Sequence, residues 1–319
     1  MPGQEEIFDN KDKLINKASD SLDRLIQNLG SALYNKLWDE LGKRLSVTNG
    51  KIDTTVGNFA AVRAIDSTYS DFIREVGPKV ASEIHTNVNR ISKLNVDYFA
   101  KFEIDKRSYQ GTTDAIRKII NERLGLDTVG EKTLRLKKGG FMDGLLSDNT
   151  VRNQIKDASL RGVTTGAGFN GFRDELRDMI AGNEEKMGGF HQYYRNYTYD
   201  LYVHVDRLES NLIAADIGLD SFIFSGTIID TSRQFCIDHV NKVFTIEEAK
   251  KWKDLIGKYK VVEGARAGTT RKVPIGPLVD NPDTYDPITQ MGGFGCRHIP
   301  RFISKVVADP LKKKQGKVD

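Results

Sequence analysis

Apolar positions in the first hundred residues recur three and four apart, the spacing of one face of a helix. Leu22, Leu25, Leu29, Leu33, Leu37, Leu41 and Leu45 form one such stripe, and Asn49-Gly50 is a turn signal that closes it. Phe59, Val62, Ile65, Tyr69, Phe72 and Val76 form a second. Gly77-Pro78 is expected to interrupt it, because proline lacks the donor that a helix interior needs. Val80, Ile84, Val88, Ile91 and Tyr98 make a third stripe, and Ile116, Ile119, Ile120 and Leu124 a shorter one. Long helices with polar outer faces predict an antiparallel or elongated bundle, whose helices can also pack on a second copy of the chain.

The pattern then weakens. Residues 126–149 are rich in Gly, Lys and Asp, and read as a linker or irregular hairpin at the first domain boundary. Helical spacing returns at Val151, Ile155 and Leu160, and again from Phe172 to Ile180. Tyr194, Tyr197, Leu201, Val205, Leu208 and Leu212 predict one long amphipathic helix.

After Asp220 the period changes. SFIFSGTIID is aromatic and β-branched, which predicts a buried strand. Thr245 and Glu248 have the spacing of a capping box and open a short helix that ends at Gly257. KYKVVEG is a further strand segment, and GFGCRHIPRFI reads as the last strand. The sequence thus predicts an α+β protein in three parts. Residues 1–148 are an elongated helical region, 149–309 a small α+β domain, and 310–319 a polar basic tail expected to fray.

Composition narrows the classes. Hydrophobic residues at 39% and charged residues at 29% belong to a folding chain rather than a disordered one. The net charge of +4, from 48 basic and 44 acidic side chains, is too mild to announce nucleic-acid binding by itself. Local basic features remain: Lys137-Lys138, the loop holding Arg266, Arg271 and Lys272, and the tail residues Lys312, Lys313, Lys314 and Lys317. These could neutralise DNA phosphates without reading sequence, or serve as solvated loop charge. No run approaches the roughly 20 apolar residues that span a bilayer, and the acidic start has no apolar signal segment.

Gly166-Ala167-Gly168-Phe169-Asn170-Gly171 spells G-x-G-x-x-G, but what precedes it is polar and helical, not the buried strand a dinucleotide site requires. A turn between helices is the better reading. Carboxylates are plentiful, yet spacing marks no acid/base pair, and catalysis has no local support.

The cysteines are the richer constellation. One segment holds Asp230, Arg233, Cys236 and His239; the other, about sixty residues on, holds Cys296, Arg297 and His298. Cys236, His239, Cys296 and His298 together are a legitimate tetrahedral zinc set, each pair able to share a face of a turn or strand. A disulfide and two unlinked buried thiols are the alternatives, and zinc is the one cofactor the sequence suggests. Arg233 and Arg297 must be paired or exposed. An arginine–aspartate clamp through Asp230 or Asp238 joining the two segments is one reading, and an anion pocket for phosphate the other.

Residues 190–305 resemble the Mu-F-like phage head-morphogenesis family of minor head proteins. The resemblance runs through the helix from Tyr193, the D-x-x-R-x-x-C run of Asp230, Arg233 and Cys236, the Asn-Lys-Val-Phe turn at 241–244 with its following helix, and the Cys-Arg-His element at 296–298. The place just before the last Cys-Arg, often His-Pro in the family, is Phe294-Gly295 here. The resemblance implies a minor head protein that acts by binding, not catalysis. It would assemble in the host cytoplasm and reside inside the virion near the portal. The implied partners are portal protein, major capsid or scaffolding proteins, and packaged double-stranded DNA. A metal- or arginine-dependent nucleic-acid-processing enzyme on the same cluster, and a multi-copy architectural capsid protein, are the rival expectations.

Overall fold

The computed structural model describes residues 4–102, 106–129, 133–140, 143–144, 149–198, 200–263 and 269–316. It is an α+β protein, dominated by helices toward its N-terminus and carrying small antiparallel sheets. In chain order it runs through α1 (Gln4–Arg44), the hairpin β1 (Val47–Thr48) and β2 (Lys51–Ile52), α2 (Val56–Arg63), α3 (Ile65–Phe99) and α4 (Lys106–Leu124). The hairpin β3 (Leu126–Val129) and β4 (Thr133–Leu136) precedes α5 (Asn149–Thr165), α6 (Phe169–Ile180), α7 (Gly189–Thr198) and α8 (Leu201–Asp216). Then come β5 (Ser221–Ser225), α9 (Gln234–His239), β6 (Val243–Thr245), α10 (Ile246–Lys250), β7 (Tyr259–Glu263), β8 (Thr270–Pro274), β9 (Ile299–Ile303) and α11 (Lys305–Gln315).

Two compact units are each assembled from separated stretches, so neither coincides with a continuous segment such as 1–148 or 149–309. One comprises Ala18–Asn87 and Ile119–Tyr199. Its core is the apolar stripe of α1 (Leu22, Ile26, Leu29, Leu33, Leu37, Leu41) and that of α3 (Ile65, Tyr69, Phe72, Val76, Val80, Ile84), all buried. The expected break at Gly77-Pro78 does not occur: α3 runs unbroken through Pro78. Pro78 sits on the exposed side while Val76 and Val80 are buried, so the carbonyl left without a partner can be satisfied by water. Asn49 and Gly50 turn the β1–β2 hairpin with φ of 52° and 72°, the left-handed pair such a tight hairpin needs. The Gly-rich run at 166–171 follows helix α5 and pairs with this hairpin, Ile52 N–H donating to Ala167 O at 2.9 Å and Phe169 N–H to Gly50 O at 2.9 Å. Gly166, at φ 62° beside Ile52 O, and Gly168, bridged to Lys51, serve this joint, and no strand leads into it as phosphate binding would require.

The other unit comprises Met1–Lys17, Val88–Lys118 and Asp200–Asp319. Its main sheet has the antiparallel order β6-β5-β9, with Phe222 opposite Phe244 on one side and Phe302 on the other. As the central strand β5 is buried on both faces, which is why its sequence is a continuous rather than alternating apolar run. Tyr98 of α3 donates its hydroxyl to Phe302 O at 2.5 Å and fixes that helix end to the sheet. The single long helix expected across 190–216 is two helices, α7 and α8, with Asp200 at the N-cap position of α8. The tail expected to fray is also ordered over most of its length as α11. Ala308 buries against Val243 and Ile303, Gln315 Oε1 accepts from Val243 N–H at 2.9 Å, and Lys312 pairs with Glu248.

Candidate functional site

The two cysteine segments meet within one unit. Cys236 lies on α9, and Cys296 and His298 lie on the loop that enters β9. Cys236 Sγ stands 3.9 Å from Cys296 Sγ, and Cys296 Sγ stands 3.7 Å from His298 Nδ1. All three side chains are buried, with 4%, 3% and 4% of their surface exposed. The cysteines are free thiols.

Three features hold this arrangement. Arg233, at the N-cap position of α9, donates Nη1–H to Gly292 O at 2.6 Å and ties α9 to the loop. Gly292 sits where a methyl would lie 3.0 Å from Cys236 Sγ and 3.1 Å from Cys296 Sγ, so a side chain there would press on both sulfurs. Its N–H points to Cys296 Sγ at 3.4 Å. The loop itself is folded by Asp286, whose Oδ1 accepts from Ile288 N–H, Thr289 N–H and the Thr289 hydroxyl. Gly293, at φ 82°, allows its backbone to approach Leu278, whose carbonyl oxygen a side chain would overlap.

Sequence reasoning missed the central support, Arg207 of α8. Its side chain is fully buried, and among the described residues every hydrogen bond it makes is to main-chain carbonyls of the loop. Nε donates to His298 O at 2.9 Å, and Nη2 donates to Cys296 O and His298 O, each at 2.5 Å. Nη1 reaches Thr289 O and Gln290 O at 3.3 Å. The hydrophobic periodicity of α8 gave Asp206, Arg207 and Glu209 the look of a solvent face, yet all three are buried. Asp206 pairs with Lys11 Nζ at 2.9 Å, and Lys11 also donates to Asn95 Oδ1 at 2.9 Å. Asn95 Nδ2 donates to Glu209 Oε2 at 2.9 Å, and the Ser92 hydroxyl donates to Glu209 Oε1. No motif marks this network; it exists because the apolar surroundings force polar groups to find one another.

The electrostatics are asymmetric. A hydrogen bond from Cys236 holds Cys296 well below the ordinary thiol range, against burial and with help from Arg207 and His298. Cys236, as the donor, is pushed up by that same bond and by burial. His298 Nε2 is buried and has no hydrogen-bond partner among the described residues. Burial, with the nearby charge of Asp206, holds the carboxyl of Asp12 on α1 above the usual range.

Other predicted site residues fall elsewhere. His239 does not join the thiols: its ring stacks on Phe235 with centroids 4.0 Å apart and its Nδ1 meets Phe235 O at 2.6 Å. It packs instead among Phe224, Phe244 and Trp252, where helical geometry carries it round the turn from Cys236. The arginine–aspartate clamp is replaced by the bond from Arg233 to Gly292 O, because Asp230 is exposed and Asp238 faces Gln234 and Lys260. Arg297 is exposed. Arg271 and Lys272 are exposed on β8, and Lys313 and Lys314 are exposed on α11. Arg266 and Lys317 lie outside the described residues.

Chemically, the cluster offers two soft sulfur donors and one imidazole nitrogen converging on one buried point. Among the described residues no helix is long and apolar enough to cross a membrane. No family model matches the chain, and neither a curated protein nor a solved structure matches it.

Proposed function

We propose that the chain is a bacteriophage minor head protein, acting in head morphogenesis by binding portal or capsid subunits and touching packaged DNA through its phosphates. The observation that carries this reading is the meeting of the Arg233–Cys236 and Cys296–His298 segments, with the two sulfurs 3.9 Å apart. The resemblance to Mu-F-like head proteins rests on those same two segments, and it would lose its physical basis had they folded into unrelated parts of the chain.

Two further features support a binding role. Ile228, Ile229 and Ile237, flanking Arg233, are exposed apolar side chains, as are Leu278 and Phe294 beside the site loop. Exposed apolar side chains of this kind suit a protein surface more than a solvated one. The exposed basic residues Arg271, Lys272, Lys313 and Lys314 suit a polyanion bound without sequence preference.

The test is location. Particles produced by the genome that encodes this chain should contain it at low copy number, and it should co-purify with portal complexes. Its absence from purified particles would overturn the reading. A copy number matching that of the major capsid protein would replace it with an architectural role.

A further inference from the structure

We propose that Cys236, Cys296 and His298 bind one zinc ion, with the fourth position left to an exogenous ligand. This site is independent of the head-protein reading and stands or falls by itself.

The argument begins with distances. A tetrahedral zinc ion, with bonds of about 2.3 Å to sulfur and about 2.0–2.1 Å to nitrogen, sets its ligands about 3.8 Å apart for two sulfurs and about 3.6 Å apart for sulfur and nitrogen. The observed separations are 3.9 Å between the sulfurs and 3.7 Å from Cys296 Sγ to His298 Nδ1. All three ligand atoms lie within 4.8 Å of one another. A disulfide would need the sulfurs to close to about 2.05 Å and would leave the imidazole without a role.

The surroundings are those of a ligand set held in place. Arg207 donates to the carbonyl oxygens of both Cys296 and His298, which fixes the two ligand residues of the C-x-H turn. Gly292 turns its N–H toward Cys296 Sγ, a contact that favours sulfur as thiolate. Gly292 also keeps clear the space next to both sulfurs that any side chain would enter. Gly226 does the same for the imidazole, since a side chain there would meet the His298 ring at 2.6 Å. Phe224 packs on His298 with centroids 4.9 Å apart and fixes the ring plane. Two thiolates and an imidazole select zinc among the common divalent ions, because calcium and magnesium take oxygen donors.

Binding is a proton exchange. Cys236 gives up its thiol proton, and Cys296 any proton it still carries, as two metal–sulfur bonds form, and neutral His298 supplies the third bond through a ring nitrogen. Up to two protons leave for each zinc bound, and no oxidant or reductant is required.

The full-length chain, purified under reducing conditions and stripped with a chelator, should take up one equivalent of zinc. Cobalt(II) in its place should show the intense visible bands of a tetrahedral site and a sulfur-to-cobalt charge-transfer band. Cys236→Ser, Cys296→Ser and His298→Ala should lose the stoichiometric ion, whereas His239→Ala should keep it. His298→Cys preserves a donor and should retain zinc, which separates loss of a ligand from loss of fold. A folded wild-type chain that takes up no zinc, or is lighter by two hydrogens through a disulfide, overturns the proposal. So does zinc content equal to that of the wild type in all three ligand variants.

Discussion

Arg207 Nη2 donates to the carbonyl oxygen of Cys296 at 2.5 Å from a side chain with no solvent exposure. A buried guanidinium spent wholly on main-chain carbonyls fixes a loop rather than a ligand, because it supplies several donors in one rigid plane. Replacing it with methionine keeps an unbranched apolar stem and removes every donor. Each buried acceptor left alone costs about 1–3 kcal/mol, so Arg207→Met is expected to lose at least about 3 kcal/mol of stability. Denaturant unfolding checks this through a lower midpoint at an unchanged slope. A loss below about 1 kcal/mol would mean that the loop carbonyls find other partners.

Gly292→Ala tests the space beside the sulfurs. Its methyl would lie 3.0 and 3.1 Å from the two Sγ atoms, tighter than ordinary contact. The expected outcome is a loss of about 1–3 kcal/mol from overpacking, with weaker zinc uptake than the wild type. Gly171→Ala in α6 is the control, since nothing lies within 4 Å of the added methyl. Equal stability and equal metal content in both variants would show that the thiols can part without cost.

The order in which these features became legible follows their physical scale. Helices α1 and α3, the Asn49-Gly50 turn and the Thr245–Glu248 capping box were readable because each is set by local spacing, and both arms of the box are made. The meeting of Cys236 with Cys296 was readable as a residue pattern, although spacing assigned no element to Cys236, which lies on a short helix. Pro78 was misread because the rule against it assumes a buried backbone, and here the residue is exposed. Arg207 and Glu209 were invisible because α8 is enclosed on nearly all sides, and no pattern in one helix records what its neighbours will cover. His239 was misassigned because spacing gives reach but not direction: the ring found aromatic neighbours instead of sulfur.

Glu209 makes stability depend on pH. Burial raises its carboxyl from 4.5, with Asp206 adding to the effect, while the donors Ser92 and Asn95 and the charge of Lys11 oppose it. A carboxyl with a raised folded value keeps its proton when the unfolded chain has released it. Its contribution is therefore full below 4.5 and is lost as pH rises through the folded value. Glu209→Gln should flatten the fall in unfolding free energy on going from mildly acidic to neutral pH. An unchanged pH profile in that variant would remove Glu209 as its source.

DNA contact, if it follows the proposed role, should be electrostatic, and α11 divides its lysines into two kinds. Lys313 and Lys314 are exposed, whereas Lys312 is half-buried and paired with Glu248. Each phosphate neutralised contributes about 0.9 to the slope of log affinity against log salt. Exchanging Lys313 and Lys314 together for glutamine should therefore lower the magnitude of that slope by up to about 1.8 on duplex DNA of any sequence. Lys312→Gln should leave the slope nearly unchanged and appear instead as a small loss of stability, because its charge is already engaged within the fold. Filter binding over a salt series, run on two duplexes of unrelated sequence, reads both effects. Equal slopes in wild type and the double variant, or no retention at the lowest salt, would assign these lysines to solvation alone.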